Sequence, residues 1–168
     1  MKGKTNREKG HRAERYYCNL FKELGFEFCT TARLASRLYD NAKIDLVNLP
    51  FNLQIKAGVQ KNMNPGKELF SMETAIKALF PPGDEVHNKQ KLLIHKKEVG
   101  RGNKRQDEDE VVYMSKNQYQ EYKNILGEEF PIMFEKIYKF ELQSEFKHIV
   151  GVTYKVFEEY IIKKYYLK

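Results

Sequence analysis

The sequence predicts a single α/β domain of 168 residues. Residues from about 6 to 24 carry apolar side chains at helical spacing, and Gly25 follows as a typical helix stop. The segment 43–56 alternates apolar and polar residues, as the two strands of a hairpin do. Apolar runs within 91–99 and 111–114 are typical of buried strands. The predicted order is helix, three strands, helix, two strands, helix.

The hairpin at 43–56 brings polar side chains together. Its turn is expected at Leu49-Pro50, and side chains on a strand repeat every second residue, so Gln54 and Lys56 share one face. If the hairpin closes around this turn, Asp45 lies opposite Gln54, with Cβ atoms roughly 4.5–5.5 Å apart. A carboxylate, an amide oxygen and an ammonium group then converge on one patch.

That patch suits hydrolysis of a phosphodiester. Mg²⁺ prefers oxygen ligands and keeps several waters, one of which can become the attacking nucleophile. A lysine beside it can orient that water or offset charge on the phosphate. The alternative interpretation is a solvated face of an amphipathic hairpin that carries Asp45, Gln54 and Lys56 by chance.

Net charge, the length of apolar runs and cysteine spacing limit the classes of protein to which this sequence can belong. The net charge of +7 favours a polyanionic partner, either nucleic acid or an acidic membrane surface. No apolar run approaches the roughly 18–20 residues of a spanning helix, and the polar start lacks a signal-peptide core. Cys18 and Cys29 lack CxxC spacing. We therefore expect a reduced, cytoplasmic protein without a membrane segment.

The first helix begins in a basic stretch. Residues 2–15 hold six basic and two acidic side chains. Such a run is commonly a solvated face, but at the start of a helix it also predicts an arm that contacts phosphate. The basic residues assigned to that arm are Lys4, Arg7, Arg12 and Arg15. Glu14 lies beside the apolar stripe of this helix. It is a candidate site residue, and the alternative is a surface carboxylate or one member of an ion pair within the helix.

Several of these motifs occur together in one known family. Gly10-His11-Arg12-Ala13-Glu14-Arg15, with Gly25-Phe26 at the helix end, resembles the opening helix of archaeal-type Holliday junction resolvases, members of the PD-(D/E)XK nuclease superfamily. The resemblance spans roughly residues 1–126. It continues with a strand at about 26–31, Arg33 and Ser36 in a basic loop, Asp45, and Gln54-Ile55-Lys56.

The resemblance implies a restriction-endonuclease-like core. That core comprises a helix, a three-stranded antiparallel meander, a second helix and further strands of a mixed sheet, over about 1–126. Residues 127–168 would form a C-terminal strand and helix extension of the same domain. The family also implies a homodimer, and DNA, especially four-way junctions, as the partner.

The resemblance also assigns roles. Glu14 corresponds to the family's helix-borne acid, Asp45 to its metal-binding aspartate and Lys56 to its catalytic lysine, with Mg²⁺ as cofactor and Mn²⁺ as a substitute. Arg33 and Ser36 fall where the family carries a functional arginine and serine. The family usually has Glu where this chain has Gln54, although restriction-type relatives use QxK. Gln54 would be a neutral metal ligand.

These assignments predict a metal-dependent endonuclease that resolves four-way junctions. One alternative is a restriction-type nuclease with the same chemistry on other DNA. Another is a DNA-binding module whose nuclease site has decayed, with Gln54 as the trace of that decay.

The remaining elements follow from local patterns. The predicted segments are a loop at 57–66, a helix at 71–79 capped by Ser71, a helix at 116–126 between Ser115 and Gly127, a strand from the runs 131–134 and 137–142, and a helix at 154–167. His95 is expected to be a surface or loosely packed residue. The apolar stripe of the last helix predicts core packing, with a subunit interface as the alternative.

Overall fold

A mixed β-sheet organises the chain in the computed structural model, which describes residues 2–59, 63–139 and 144–168, without the side chains of 2–4. Within these ranges the sheet has seven strands in the order β1-β2-β3-β4-β5-β7-β6. Only β3 and β4 pair in parallel there. The strands are β1 Thr30–Thr31, β2 Leu46–Val47, β3 Phe51–Ala57, β4 Gln90–Lys96, β5 Glu110–Ser115, β6 Phe134–Ile137 and β7 His148–Thr153.

Helices cover both faces of this sheet. They are α1 Lys2–Leu24, α2 Ala32–Ala35, α3 Arg37–Asn41, α4 Pro65–Leu79, α5 Lys116–Leu126 and α6 Tyr154–Val156, which continues as π-type helix Phe157–Tyr166. Short 3₁₀ turns lie at Glu85–Asn88, Asp107–Asp109 and Glu145–Lys147. None of the helices in the described ranges combines the length and apolar character needed to cross a bilayer.

Two cores form on opposite sides of the sheet. On one side α1, α5 and the C-terminal helix pack against the strands, with Tyr17, Leu53 and Phe157 among the buried residues. On the other side α4 packs through Leu69 against residues such as Leu93. Because side chains alternate along β3, Leu53 faces α1 while Gln54 belongs to the α4 side. The expected α/β class with a mixed sheet is confirmed.

The meander follows the sequence prediction closely. β1, β2 and β3 are consecutive antiparallel neighbours, and Leu46 pairs with Leu53 in the expected register. α1 ends at Leu24, as predicted, and Gly25 follows with φ of 125°. The first strand is shorter than predicted: it contains only Thr30–Thr31 instead of 26–31.

The start of α4 corrects the sequence interpretation. We predicted a helix at 71–79 capped by Ser71, but α4 begins at Pro65, and the Asn64 side chain accepts a hydrogen bond from Lys67 N. Proline suits the first helical position because its missing N–H has no intrahelical partner there. The predicted loop is therefore shorter at both ends, and its positions 60–62 lie outside the described residues.

The C-terminal third adds to the same sheet. β7 lies between β5 and β6, so it continues the sheet next to a strand of the predicted core. Phe157, Ile161 and Ile162 are fully buried, which confirms the core-packing interpretation of the last helix. The strand expected from the runs 131–134 and 137–142 overlaps β6 at Phe134 and Ile137, and positions 140–143 lie outside the described residues.

His95 is also corrected. It is 5% exposed instead of lying on the surface, and its Nε2 lies 3.0 Å from the carbonyl oxygen of Gly58. Burial lowers the pKa of this imidazole. The contact joins the C-terminal end of β4 to the residue that follows β3. It therefore helps fix the ends of these two strands beside the candidate site.

Candidate active site

Asp45 lies directly before β2, one residue from the pair that sets the register of the β2–β3 hairpin. The pair Leu46–Leu53 sets the register, and one residue outward Asp45 N donates to the Leu53 carbonyl at 2.8 Å. The Asp45 carbonyl accepts from Ala32 N at 2.9 Å, so its backbone is held from both sides. Asn48, with φ of 64°, lies in the turn that closes the hairpin. The predicted register of the hairpin is confirmed at the pair Leu46–Leu53.

Asp45 is a partly buried carboxylate in an unfavourable environment for its charge. Burial raises its pKa from 3.8 to about 7. The Ile55 N–H, which donates to Oδ2 at 2.6 Å, and the charge of Lys56 act in the opposite direction, while Glu14 raises the pKa further. Among the described residues, Oδ1 has no hydrogen-bond donor. A bound cation would favour the ionised form.

Gln54 presents an unused oxygen. The residue is 6% exposed, and its Oε1 has no hydrogen-bond donor within the described part of the chain. A buried polar atom without a partner costs free energy of roughly 1–3 kcal/mol, so such atoms commonly mark a place for water, an ion or a ligand. Because an amide oxygen is a ligand that Mg²⁺ accepts, the Gln54 oxygen is a candidate ligand for a hard cation.

Lys56 has a partner that the sequence analysis missed. Its Nζ lies 3.6 Å from Glu68 Oε2, and both side chains are partly exposed. Glu68 belongs to the first turn of α4, which the prediction left out of the helix because it began the helix at Ser71. The Asn64-Pro65 pair was the signal for the true helix start.

Glu14 is buried and fully engaged by Arg33. Arg33 Nη2 donates to Oε1 at 2.7 Å, and Nε donates to Oε2 at 3.2 Å. This bidentate pair raises the pKa of the guanidinium further, chiefly through the hydrogen bonds. The structure therefore brings the two predicted site residues together but uses both oxygens of Glu14. A cation that took Glu14 as a ligand would have to displace Arg33 from at least one oxygen.

The other predicted DNA-binding residues lie in different settings. Ser36 caps α3 by accepting from Tyr39 N at 3.4 Å, which gives it a structural role. Three arginines of the predicted arm are exposed on α1, which is helical from its first described residues: Arg7, Arg12 and Arg15. The side chain of Lys4 lies outside the described part of the structure.

The acidic residues alone do not form a metal centre. Within the described ranges, no three or more His, Cys, Asp or Glu side chains cluster in a way that could hold a metal ion. The predicted ligand set contains only two carboxylates, Glu14 and Asp45, and an amide. A cation here would depend on the Gln54 oxygen and on water for much of its coordination.

Similarity to known proteins does not assign the site. Comparisons with protein-family models, with curated protein sequences and with solved structures give no match for this chain. The roles of Asp45, Gln54 and Lys56 therefore depend on their contacts and on their chemistry.

Asp45 should make the stability of the metal-free protein fall as pH rises. The folded chain keeps this proton up to about pH 7, whereas an unfolded aspartate releases it near 3.8. Between these values the folded state binds more protons, so the free energy of unfolding decreases with pH. We expect Asp45→Asn to remove this loss, on the order of 1–4 kcal/mol. Thermal unfolding of both proteins in EDTA at about pH 5 and pH 8 measures this loss of stability. An identical pH response in the parent and in Asp45→Asn would contradict the prediction.

Proposed function

We propose that this chain is a metal-dependent DNA endonuclease of the PD-(D/E)XK type. The observation that carries the proposal is the buried Oε1 of Gln54, which has no donor among the described residues. The next residue on the strand, Ile55, donates its N–H to Asp45, and Lys56 follows it. Charge supports it as well, because a net +7 suits a polyanionic substrate.

Each side chain has a distinct task in this proposal. Asp45 Oδ1 and Gln54 Oε1 would hold Mg²⁺ or Mn²⁺, with Glu14 as a further ligand when Arg33 releases it. The bound metal supplies Lewis-acid stabilisation of the phosphate and a water of lowered pKa. Lys56 positions the scissile phosphate or the attacking water and offsets developing negative charge.

Glu68 supports the role of Lys56. At 3.6 Å the two groups form an ion pair without a close hydrogen bond, so the ammonium keeps donors for a phosphate oxygen or a water. Gln54 carries no negative charge, and Glu68 places a carboxylate beside the same strand. The ion pair directs Lys56, and Glu68 supplies part of the negative charge that the family's usual glutamate would have contributed.

We propose branched DNA, and four-way junctions in particular, as the substrate. In a two-fold dimer the basic face of α1 and the candidate site would be duplicated on one surface. A four-way junction presents backbones of matching symmetry, so shape and phosphate placement can select it without readout of base edges. Restriction-type cleavage of other DNA uses the same residues, and only the substrate separates the two functions.

A comparison of substrates tests this function. At fixed ionic strength, the protein should be a dimer that binds a four-way junction more tightly than linear duplex of equal length. With Mg²⁺ it should make paired, symmetric nicks near the crossover. The ionic strength must be matched because phosphate contacts make every affinity fall steeply with salt. A monomer by light scattering, or equal cleavage of duplex and junction, would favour the restriction-type function.

A DNA-binding module without catalysis is the second candidate. The observation in its favour is the bidentate Arg33–Glu14 pair, which occupies the acid that the nuclease needs. Such a module would bind DNA but would cut no substrate with Mg²⁺ or Mn²⁺. Metal-dependent nicking of any DNA therefore excludes it.

A further inference from the structure

A basic pocket of about 260 Å³ lies beside the candidate active site. It is formed by one face of α1, by the residues that end β3 and β4, and by Arg105 from the loop before β5. Lys9, Arg12 and Lys97 are among the charged residues that line it, and Ala13, Tyr16 and Ala57 are among the others.

Positive charge dominates this basic pocket. Five of its lining residues are lysine or arginine, and one, Glu98, is acidic. Glu98 is paired with Lys9 at 2.9 Å. Among the described residues, neither Arg12 nor Lys97 forms an ion pair. The pocket therefore keeps uncompensated cations that can bind an anion.

The basic pocket also has an apolar floor. Ala13, Ala57 and the ring of Tyr16 line it, and Lys96 Nζ lies 3.5 Å from the centroid of that ring. Burial lowers the pKa of Lys96, so its charge is incompletely solvated. A nearby anion would favour the charged form. Cations next to apolar walls match a ligand that has both a phosphate and a flat or aliphatic part.

The chain places this pocket next to the candidate active site. Ala13 immediately precedes Glu14 on α1, and Ala57 immediately follows Lys56 on β3. Because side chains alternate along a strand, Ala57 faces α1 while Lys56 faces Glu68 on α4. The pocket therefore lies on the α1 face of the sheet, whereas Lys56 lies on the α4 face at the same end of β3.

We propose that the basic pocket binds one nucleotide of the DNA strand, next to the nucleotide whose phosphodiester lies at the candidate active site. Arg12 and Lys97 hold its phosphate, and its sugar or base packs against Ala13, Tyr16 and Ala57. This inference rests on the proposed nuclease function, and it adds that the strand is unpaired or splayed there, because a pocket of this size takes a single nucleotide and not a base pair.

Titration with small ligands tests the proposal. The probes are 5′-thymidine monophosphate, thymidine, inorganic phosphate and a short oligothymidylate, in EDTA at fixed ionic strength, with the Gly58 and Tyr16 amide resonances as the readout. Thymidine monophosphate should bind more tightly than thymidine or inorganic phosphate, and the oligothymidylate should displace it. The double variant Arg12→Ala/Lys97→Ala should weaken binding of the monophosphate by about tenfold or more.

A matched double variant controls for loss of charge. Lys77→Ala/Lys155→Ala removes two cations that are 69% and 74% exposed and lie outside the pocket, and it should bind the monophosphate as the parent does. Equal affinity for inorganic phosphate and the monophosphate would overturn the nucleotide assignment, as would unchanged binding in Arg12→Ala/Lys97→Ala. Failure of the oligothymidylate to compete would overturn the assignment to a strand.

The same preparations separate this inference from the proposed function. Nucleotide binding with the expected mutational pattern but no metal-dependent cleavage would uphold the pocket and refute the nuclease. Metal-dependent cleavage without nucleotide binding would refute the pocket alone.

Discussion

The Asp45→Asn variant is expected to cleave DNA at least about 100-fold more slowly than the parent protein while binding it with similar affinity. The substitution removes the negative charge of a metal ligand but keeps an oxygen that can accept the hydrogen bond from Ile55 N. The fold is therefore retained. Affinity is retained too, because it depends mainly on lysine and arginine contacts to phosphate. Single-turnover cleavage and binding in EDTA measure the two effects separately.

Asp40→Asn is the matched control for this experiment. Asp40 is an exposed carboxylate whose charge also acts on Asp45, but it is not among the proposed ligands. It should cleave DNA at nearly the parent rate. Lys56→Ala should lose rate as Asp45→Asn does, since it removes the group that positions water or phosphate. Full activity in either Asp45→Asn or Lys56→Ala would exclude the proposed site.

The Gln54→Glu variant should become dependent on metal for its stability. A second carboxylate would lie opposite Asp45, in surroundings that already raise the pKa of that group. Both pKa values would be raised, so the loss of stability in EDTA should grow as pH rises towards about 8 and should reach roughly 1–3 kcal/mol there. Mg²⁺ should restore the lost stability, and cleavage should be preserved with tighter metal binding.

Asn52→Asp is the matched control on the same strand. Asn52 is 1% exposed and its Nδ2 donates to the Val86 carbonyl at 2.9 Å, so a carboxylate there also destabilises the chain. Since it lies away from the Asp45–Gln54 pair, Mg²⁺ should not rescue it. Melting temperatures with EDTA and with Mg²⁺ at about pH 8 distinguish the two variants. Loss of cleavage in Gln54→Glu would show that the neutral amide is required.

Local sequence determined the hairpin and its register. Alternation over 43–56 and the turn around Pro50 were enough to place Leu46 opposite Leu53, because a slip of one residue would expose the buried apolar set. The periodicity of α1 and Gly25 gave the end of that helix in the same way. These features depend on neighbours close in the chain, whose geometry follows from the period of a strand or helix.

Tertiary structure decided which charges meet. Glu14 and Arg33 are separated by 19 residues, and nothing in their spacing predicts that the guanidinium covers both oxygens. The Lys56–Glu68 pair depends on how α4 packs over the sheet, and the basic pocket depends on how α1 crosses the ends of β3 and β4. The sequence likewise did not predict that β7 lies between β5 and β6. Side chains far apart in sequence meet only after the cores on both faces of the sheet have fixed the helices, and packing is a property of the whole chain.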